Sequence, residues 1–284
     1  MADALQRIIV CNRDGMWQDG NSTTNNMQRI ISAFRTAASF WPVILCAVTP
    51  ATPCFAQAPI TEGLVARWSG DGNARDSAGN SDGQVSGGLR YVPGPTGQAF
   101  QFDGGNAQVD FGNGAGNFGT RDFTIAYWMK TDSQYPHEAF LAKRAVCDAG
   151  FCFWEIQVGG GVRPPGGILD LVFAEGGYKP PYDLFSTRPM NDGQWHHIAW
   201  VRQSTSSGSI TYLIYVDGAL DNSKANLEAV DLANQSPLVL GQNVCQCCDG
   251  ARPYSGAAAE LQFFSHALSA EEILAIYKAG KPGR

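Results

Sequence analysis

The sequence predicts an all-β fold in which two antiparallel sheets pack face to face, with one short helix near the C-terminus. Glycine accounts for 33 of the 284 residues and charged side chains for only 16%. This bias favours many tight turns over long solvated helices. At least eleven short runs of β-branched and aromatic residues are separated by Gly, Asn, Asp and Pro. So many short strands are typical of a sandwich of two sheets.

The composition also excludes several classes of protein and partner. With 44% hydrophobic and 11% aromatic residues, the chain has the material for a packed core, so it is neither disordered nor collagen-like. The formal net charge is −6, and no run of Lys or Arg is longer than the pair Lys143 and Arg144. Because a nucleic-acid surface needs a concentrated basic stripe, we expect no nucleic-acid partner.

The first 58 residues are predicted to be a leader. Residues 1–26 are polar and lack apolar periodicity. From Met27 the sequence is typical of a secretory signal peptide, with Arg29 and Arg35 as its basic region and residues 37–48 as its apolar core. We therefore expect translation to start at Met27.

The end of this segment predicts where the leader is removed. Small residues fit a signal-peptidase site with cleavage near Ala56 or Ala58. The apolar core is short for a bilayer and Pro42 interrupts it, so a retained membrane anchor is the less favoured alternative. We expect residues 1–58 to be absent from the mature protein. Residues 59–284 then form one secreted or periplasmic domain without a membrane span.

The strands of this domain follow from alternation. In the run 123–130, Phe123, Ile125 and Tyr127 fall on one face while the intervening residues fall on the other. Eleven runs are predicted as strands on this basis: 64–68, 98–102, 108–111, 123–130, 138–142, 151–158, 168–173, 196–203, 210–216, 238–240 and 258–264.

The helix comes last in the chain. Ser269 is a good N-cap residue, Glu272 completes a capping box, and Gly280 ends the segment. Between them, Ile273 and Ile276 belong to one apolar face. No helix alternates with the strands, which argues against a parallel sheet with crossover helices.

Seven segments, taken in order, carry a resemblance to a known family. They are GLVARWSGDGNARDSAGN, AFQFDGGNAQVDFG, FTIAYWMKT, DGQWHHIAWVRQ, YVDGAL, LVLGQN and YSGAAAELQFFSHALSAEEI. Over residues 63–280 the chain resembles the laminin G-like, concanavalin A-like lectin/glucanase jelly-roll family. The resemblance implies two curved antiparallel sheets, with rim loops and a concave face available for ligands. It implies no single activity, because the fold hosts lectins, carbohydrate-binding modules, adhesion modules and some glycoside hydrolases and lyases.

The resemblance raises the question of calcium. Family members often hold a structural calcium between the first loop and an acidic pair near the last strand. Here the Gly-rich loop 71–82 carries Asp71 and Asp76, but Ala259 replaces the expected Asp and only Glu260 remains. Two interpretations stay open. Asp71, Asp76 and Glu260 bind a structural calcium ion, or the loop acids simply satisfy backbone groups in Asx turns.

The adjacent histidines do not predict a metal site. Neighbouring residues of a strand point to opposite faces, so His196 and His197 cannot readily hold one ion. The match of both residues to the family motif supports structural roles.

Catalysis of glycoside hydrolysis would need two carboxylates facing one bond. No Glu is followed two residues later by Asp, which is the arrangement that the resemblance would imply for a β-glucan hydrolase. The weak candidates are Glu155, on a predicted strand, and Asp170 or Glu175, on or beside the next one. Surface or salt-bridged carboxylates are the favoured interpretation.

Five cysteines remain after the leader, in two loop clusters. Cys147 and Cys152 form the first cluster, and Cys245, Cys247 and Cys248 form the second. Export favours disulfides over zinc, and the odd number leaves one cysteine unpaired or intermolecular. Two pairings stay open, a bridge within the first cluster or a bridge between the two clusters.

Aromatic residues in loops are the candidates for sugar contacts, because a pyranose stacks on an exposed ring while polar groups bind its hydroxyls. Tyrosines that pack their own loops are the alternative interpretation. The ligand-binding candidates are Tyr135, Trp154, Tyr178, Tyr182, Asp183 and Tyr254.

These observations predict an exported, noncatalytic module that binds a carbohydrate or an extracellular protein through rim loops joined by disulfides. One alternative is a polysaccharide hydrolase or lyase of the same fold, with Glu155 and Asp170 as its acids. Another is a structural or adhesion domain of the cell envelope.

Overall fold

The computed structural model describes residues 59–147, 151–159, 167–176, 182–245 and 250–281. The predicted leader, residues 1–58, lies outside these ranges, as do Tyr178, Cys247 and Cys248. Within them the chain forms sixteen strands and one helix. No helix in these ranges is long and apolar enough to cross a membrane.

The strands run in chain order as follows: β1 (Leu64–Trp68), β2 (Gln84–Ser86), β3 (Arg90–Pro93), β4 (Gln98–Asp103), β5 (Gln108–Asp110), β6 (Phe123–Lys130), β7 (Glu138–Lys143), β8 (Cys152–Val158), β9 (Ile168–Glu175), β10 (Tyr182–Pro189), β11 (His196–Ser204), β12 (Ile210–Val216), β13 (Ala219–Leu227), β14 (Leu238–Leu240), β15 (Arg252–Pro253) and β16 (Ser255–Phe264). The helix α1 spans Ala270–Gly280.

Two eight-stranded sheets form the sandwich. Sheet A has the order β13-β12-β11-β6-β16-β4-β3, with β1 also paired to β16. Sheet B has the order β10-β9-β8-β7-β14-β5-β2, with β15 also paired to β7. Every pairing is antiparallel except that of β15 with β7. The predicted all-β sandwich is therefore confirmed.

Five short or polar strands were not predicted, namely β2, β3, β10, β13 and β15. Four of them end a sheet. Strand β13 is largely exposed, since none of its nine residues is fully buried. The three-residue β2 is exposed throughout, and the two-residue β15 is too short to show a period. In β10 only Leu184 and Ser186 are buried, so its alternation is brief.

The core lies between the sheets and contains the alternating residues of both. From sheet A, Ile125, Tyr127 and Trp200 are fully buried, and from sheet B Trp154 and Ile156 are too. The indole N–H of Trp200 donates to the Tyr127 hydroxyl at 3.0 Å, which satisfies both buried polar groups.

The outer face of sheet A is covered by helix α1. Ser269 caps the helix with the predicted capping box, in which Glu272 takes part. Ile273 packs on Ala126, Ala199 and Phe264 of sheet A. The helix covers part of this face, whereas in the described part of the chain no helix packs on the outer face of sheet B.

Candidate functional site

The outer face of sheet B combines buried polar side chains with a small apolar cluster of Phe153, Val172 and Ala174. On β8, alternation sends Trp154 and Ile156 into the core and turns Phe153, Glu155 and Gln157 to the outer face. Glu155 is 2% exposed and Gln157 is 6% exposed. Buried polar groups require partners, so the bonds of Glu155 define what this face can do.

The side chains of Arg144, Gln157 and Asn243 are among the partners of the Glu155 carboxylate. Arg144 Nη1 donates to Oε1 at 2.8 Å, and Gln157 Nε2 donates to the same oxygen at 2.7 Å. Asn243 Nδ2 donates to Oε2 at 2.9 Å. We call Arg144, Glu155, Gln157 and Asn243 the polar network. The network joins the β7–β8 hairpin to the segment after β14. Within it, Glu155 holds the guanidinium of Arg144 in place.

The two weak catalytic candidates, Glu155 and Asp170, lie on the same face. Asp170 pairs with Gln157 across β8 and β9, while Glu155 pairs with Val172, so the two acids are diagonal neighbours. Asp183 of β10 pairs with Val172 and shares this face. Glu175 has the opposite alternation, because it lies two residues after Phe173 and four after Leu171, and both of those residues face the core.

An open cleft adjoins the polar network at the rim. Its volume is about 390 Å³, and we call it the rim cleft. Its lining includes Arg144, Val146, Phe151, Phe153, Asn234 and Gln235. Phe151 is 57% exposed, and the Arg144 guanidinium lies 3.8 Å from the centroid of the Phe153 ring. The rim cleft thus combines an accessible aromatic ring with a fixed cationic group and two amides.

A disulfide fixes the loops on which the rim cleft depends. Cys147 is bonded to Cys245 with 5.0 Å between their Cα atoms, so the bridge joins the two clusters. The alternative bridge from Cys147 to Cys152 is not formed. Cys152 is a free thiol whose Sγ donates to the carbonyl of Asp231 at 3.0 Å. Burial raises the pKa of this thiol.

The buried side chain of Lys143 stabilises the same rim. Its Nζ donates to the carbonyls of Asn113 and Ser236, at 3.0 and 2.8 Å. Burial lowers the pKa of Lys143 to about 8. Ser236 belongs to the lining of the rim cleft, so Lys143 supports one wall of that cleft.

The predicted sugar-binding aromatics fall into different environments. Trp154 and Tyr254 are at most 1% exposed, and their polar atoms bond to backbone carbonyls. Their placement corrects the expectation of two exposed platforms. Tyr182 lies in strand β10, and its ring stacks on Phe173 at 5.3 Å, toward the core. Tyr135 is 46% exposed, but Arg252 covers one face of its ring at 3.9 Å.

The residues proposed for calcium are already used by other partners. Asp76 accepts hydrogen bonds from the backbone N–H groups of Arg67, Ala78, Gly79 and Ser81. Burial alone would raise the pKa of Asp76, but these backbone donors outweigh it and lower the pKa. This loop behaves as the Asx-turn interpretation describes.

Asp71 and Glu260 are likewise occupied. Asp71 Oδ1 accepts the N–H of Gln98 at 3.0 Å. Glu260 forms an ion pair with Arg67 and accepts a hydrogen bond from Thr96. In the part of the chain that the structure describes, no group of three or more His, Cys, Asp or Glu side chains could hold a metal ion. The residues present do not fit a calcium ion.

The two histidines lie in opposite environments, as strand alternation requires. His197 is buried beside Trp128 and Tyr277, with ring centroids 5.3 and 6.2 Å away. Burial lowers the pKa of His197 to about 4. His196 contacts Asp217 at 2.9 Å and Asp192 at 3.1 Å, and the bond to Asp217 raises its pKa. Neither arrangement is a metal site.

Sequence reasoning predicted Glu155 but missed most of the side chains around it, which include Arg144, Phe151, Gln157, Asn234, Gln235 and Asn243. The sequence indicates Arg144 only as part of a basic pair, and Phe151 only as the start of a predicted strand. The available signal was the position of Phe151 beside Cys152, in a cysteine-bounded loop. Asn243 offered no comparable signal, because its contact with Glu155 joins residues 88 positions apart.

Comparisons with known proteins agree with this architecture. A family model described as the concanavalin A-like lectin/glucanases superfamily matches residues 103–274. Domain 4 of AbnA, a GH43 extracellular arabinanase from Geobacillus stearothermophilus solved with arabinotriose, is similar over 75% of this chain and 98% of its own, with 20% identity and a TM-score of 0.60. No curated protein sequence matches.

Two toxin domains are also similar in fold. The binding domain of Paraclostridial Mosquitocidal Protein 1 has 17% identity and a TM-score of 0.56 over 76% of this chain. The binding domain of botulinum neurotoxin DC, solved with SialylT, has 13% identity and a TM-score of 0.58 over 77% of this chain. The match spans 52% of each toxin domain. At these identities the likeness concerns the fold alone.

Proposed function

The chain belongs to the concanavalin A-like lectin/glucanase superfamily, and on that premise we propose that it is a noncatalytic module that binds carbohydrate in the rim cleft. The observation that carries this proposal is the exposed ring of Phe151 beside polar side chains held in place by buried bonds. An aromatic face next to fixed hydrogen-bonding groups is the combination that a sugar ring requires.

Each part of the cleft has a role in this proposal. The Phe151 ring stacks on the C–H face of a pyranose or furanose. Asn234 and Gln235, which also line the cleft, offer amide groups to its hydroxyls. Arg144 is held between Glu155 and Phe153 and therefore loses little side-chain entropy when a ligand binds.

Two similar domains support the choice of carbohydrate as the ligand class. The arabinanase domain is described in complex with arabinotriose, and the botulinum neurotoxin DC domain in complex with SialylT. An extracellular protein is the second candidate ligand, because Val146 and Val244 beside the disulfide are 40% and 44% exposed. Exposed apolar residues of this kind also suit protein interfaces.

The proposal includes export. The Cys147–Cys245 disulfide suits an oxidising compartment outside the cytosol. It agrees with a leader over residues 1–58 that is cleaved near Ala56 or Ala58. Mass spectrometry of the protein from its native host tests this directly. We expect an N-terminus at residue 57 or 59, and a chain that begins at Met1 would contradict export.

A glycan array followed by affinity measurements tests carbohydrate binding. We expect Phe151→Ala to weaken binding of the best glycan about tenfold, roughly 1.4 kcal/mol, because the stacking surface is lost. Leu220→Ala on strand β13 is the matched control, since Leu220 is 53% exposed on sheet A. Its affinity should equal that of the unmodified protein.

A reducing-sugar assay on the same glycans distinguishes binding from hydrolysis. Glu155 and Asp170 share one face, so turnover that disappears in Glu155→Gln would favour the hydrolase or lyase alternative. Silence in both assays would favour a structural envelope domain. Binding without product, lost in Phe151→Ala, is the result that the proposal requires.

A further inference from the structure

A second polar cluster lies where strand β1 pairs with strand β16. We call Arg67, Asp71, Asp76, Thr96 and Glu260 the β1–β16 corner. We propose that the guanidinium of Arg67 supplies the positive charge that neutralises Glu260 at this corner. The first loop is then held to the last strand without a divalent ion.

The hydrogen bonds and the ion pair of Arg67 support this proposal. Its Nε and Nη2 both lie 2.9 Å from Glu260 Oε2. Thr96 Oγ1 donates to the other carboxylate oxygen, Oε1, at 2.9 Å. The Glu260 side chain is only 12% exposed, while that of Arg67 is 41% exposed. A largely buried carboxylate thus has its charge neutralised by a residue of the chain itself.

The backbone of Glu260 points to the same conclusion independently. Glu260 has φ of +52°, in the left-handed region that non-glycine residues rarely adopt. The pairing of β16 with β6 shifts register between Ala259 and Gln262, so Glu260 sits in a bulge. Its N–H donates to the carbonyl of Ser69 at 3.1 Å. Such strain persists where surrounding bonds fix it, and here the bulge places the carboxylate on Arg67 and Thr96.

The remaining acids of the corner do not compete for Arg67. Asp76 is bonded to four backbone N–H groups, and Asp71 to the N–H of Gln98. Their oxygens therefore organise the loop and the β3–β4 turn. A divalent ion would need several of these oxygens at once, and at Glu260 it would have to compete with the guanidinium of Arg67.

Thermal unfolding of the mature protein in calcium and in EDTA is the first test. We expect the two melting temperatures to agree within about 1 °C. A rise of several degrees in calcium would overturn the proposal, because it would show that a divalent ion stabilises the native state.

A double-mutant cycle on Arg67 and Glu260 is the second test. We expect Arg67→Ala and Glu260→Ala each to lower the melting temperature by about 2 to 4 °C. The double variant should lose little more than either single variant, because both remove one shared interaction. Arg75→Ala, in the same loop, is the matched control and should leave the melting temperature unchanged.

Two conservative variants keep the test decisive if an alanine variant fails to fold. Glu260→Gln retains the shape of the side chain without its charge, and Arg67→Lys retains the charge without the paired donors. Both should lower the melting temperature, and neither should make it respond to calcium. Additive losses in the cycle, or an Arg67 variant as stable as Arg75→Ala, would overturn the proposal.

Discussion

His196 and His197 are adjacent in the sequence, yet their surroundings move their pKa values in opposite directions. His197 is 1% exposed and packs on Trp128 and Tyr277. Desolvation dominates there and lowers its pKa to about 4, against the smaller opposing effect of Asp217. His196 gains from its bond to Asp217, which raises its pKa. One residue therefore favours the fold when neutral, and the other when charged.

The low pKa of His197 predicts acid sensitivity. Its folded pKa lies below the ordinary histidine value of 6.5, so its contribution is present above about pH 6.5 and is lost as the pH falls from 6.5 toward 4. The full loss is about 3 kcal/mol. His196 has the opposite sign, and its contribution is lost as the pH rises through its raised pKa. Urea unfolding of native protein and His197→Phe at pH 7.5 and 4.5 measures the effect. Equal pH dependence in both proteins would contradict it.

The raised pKa of Glu138 predicts that its contribution to stability falls as the pH rises, which is the reverse of the dependence described for His197. It is 1% exposed, and burial raises its pKa to about 7, although Ser133 donates to it at 2.7 Å. Because its folded pKa exceeds the unfolded value, its contribution is lost as the pH rises from about 4.5 through 7.

We therefore expect Glu138→Gln to stabilise the protein by about 2 kcal/mol at pH 8 and to have little effect at pH 4.5. Urea unfolding at both pH values checks this. A variant less stable than the native protein at pH 8 would show that the ionised carboxylate is favourable in this site.

Single residues also mark where sequence reasoning reached its limit. The run FCFWEIQV is apolar at neighbouring positions, so its alternation could not show that Trp154 enters the core while Phe153 turns outward. Tyr254 follows a cysteine cluster and was expected in an exposed loop, but it bonds to Lys130, 124 residues earlier. The exposure of an aromatic residue depends on contacts that a linear pattern does not contain.

At the scale of elements, the parts predicted from the sequence were those that local interactions specify. Helix α1 has its N-cap, its capping box and its apolar face within eleven residues. Strands with a buried face, such as β1, β6 and β12, have the predicted bounds. The edge strand β13 has no buried residue, and in β10 only Leu184 and Ser186 are buried, so an apolar alternation is absent from the first and brief in the second.

The disulfide joins Cys147, which adjoins the cleft residue Val146, to a cysteine 98 positions later in the chain. We expect Cys147→Ser to lower the free energy of unfolding by about 2 to 5 kcal/mol, through the larger entropy of the unfolded chain. Glycan affinity should fall as well, because Val146 and Phe151 flank the loop that the bridge holds.

Cys152→Ser is the matched control, because Cys152 is not in the bridge. It should retain stability, whereas Leu220→Ala is the control for affinity, because Cys152 lines the rim cleft. Chemical denaturation measures the first quantity and calorimetric titration the second. Should Cys147→Ser bind as tightly as the native protein, the bridge would not be needed to form the rim cleft.

At the scale of the whole molecule, the family resemblance predicted two sheets, rim loops and a face for ligands. It could not predict which face stays available. That outcome depends on α1 covering sheet A and on the polar network of sheet B, both of which join distant parts of the chain. The resemblance likewise suggested calcium, whereas Arg67 pairs with Glu260 at that corner.

Hydrogen–deuterium exchange with and without a bound glycan from the array tests whether the rim cleft is the carbohydrate site. We expect slower exchange in residues 144–147, 151–154 and 234–236, which surround the rim cleft, and unchanged exchange in β12 and β13 of sheet A. Protection confined to sheet A or to the β1–β16 corner, with the rim cleft unaffected, would contradict it.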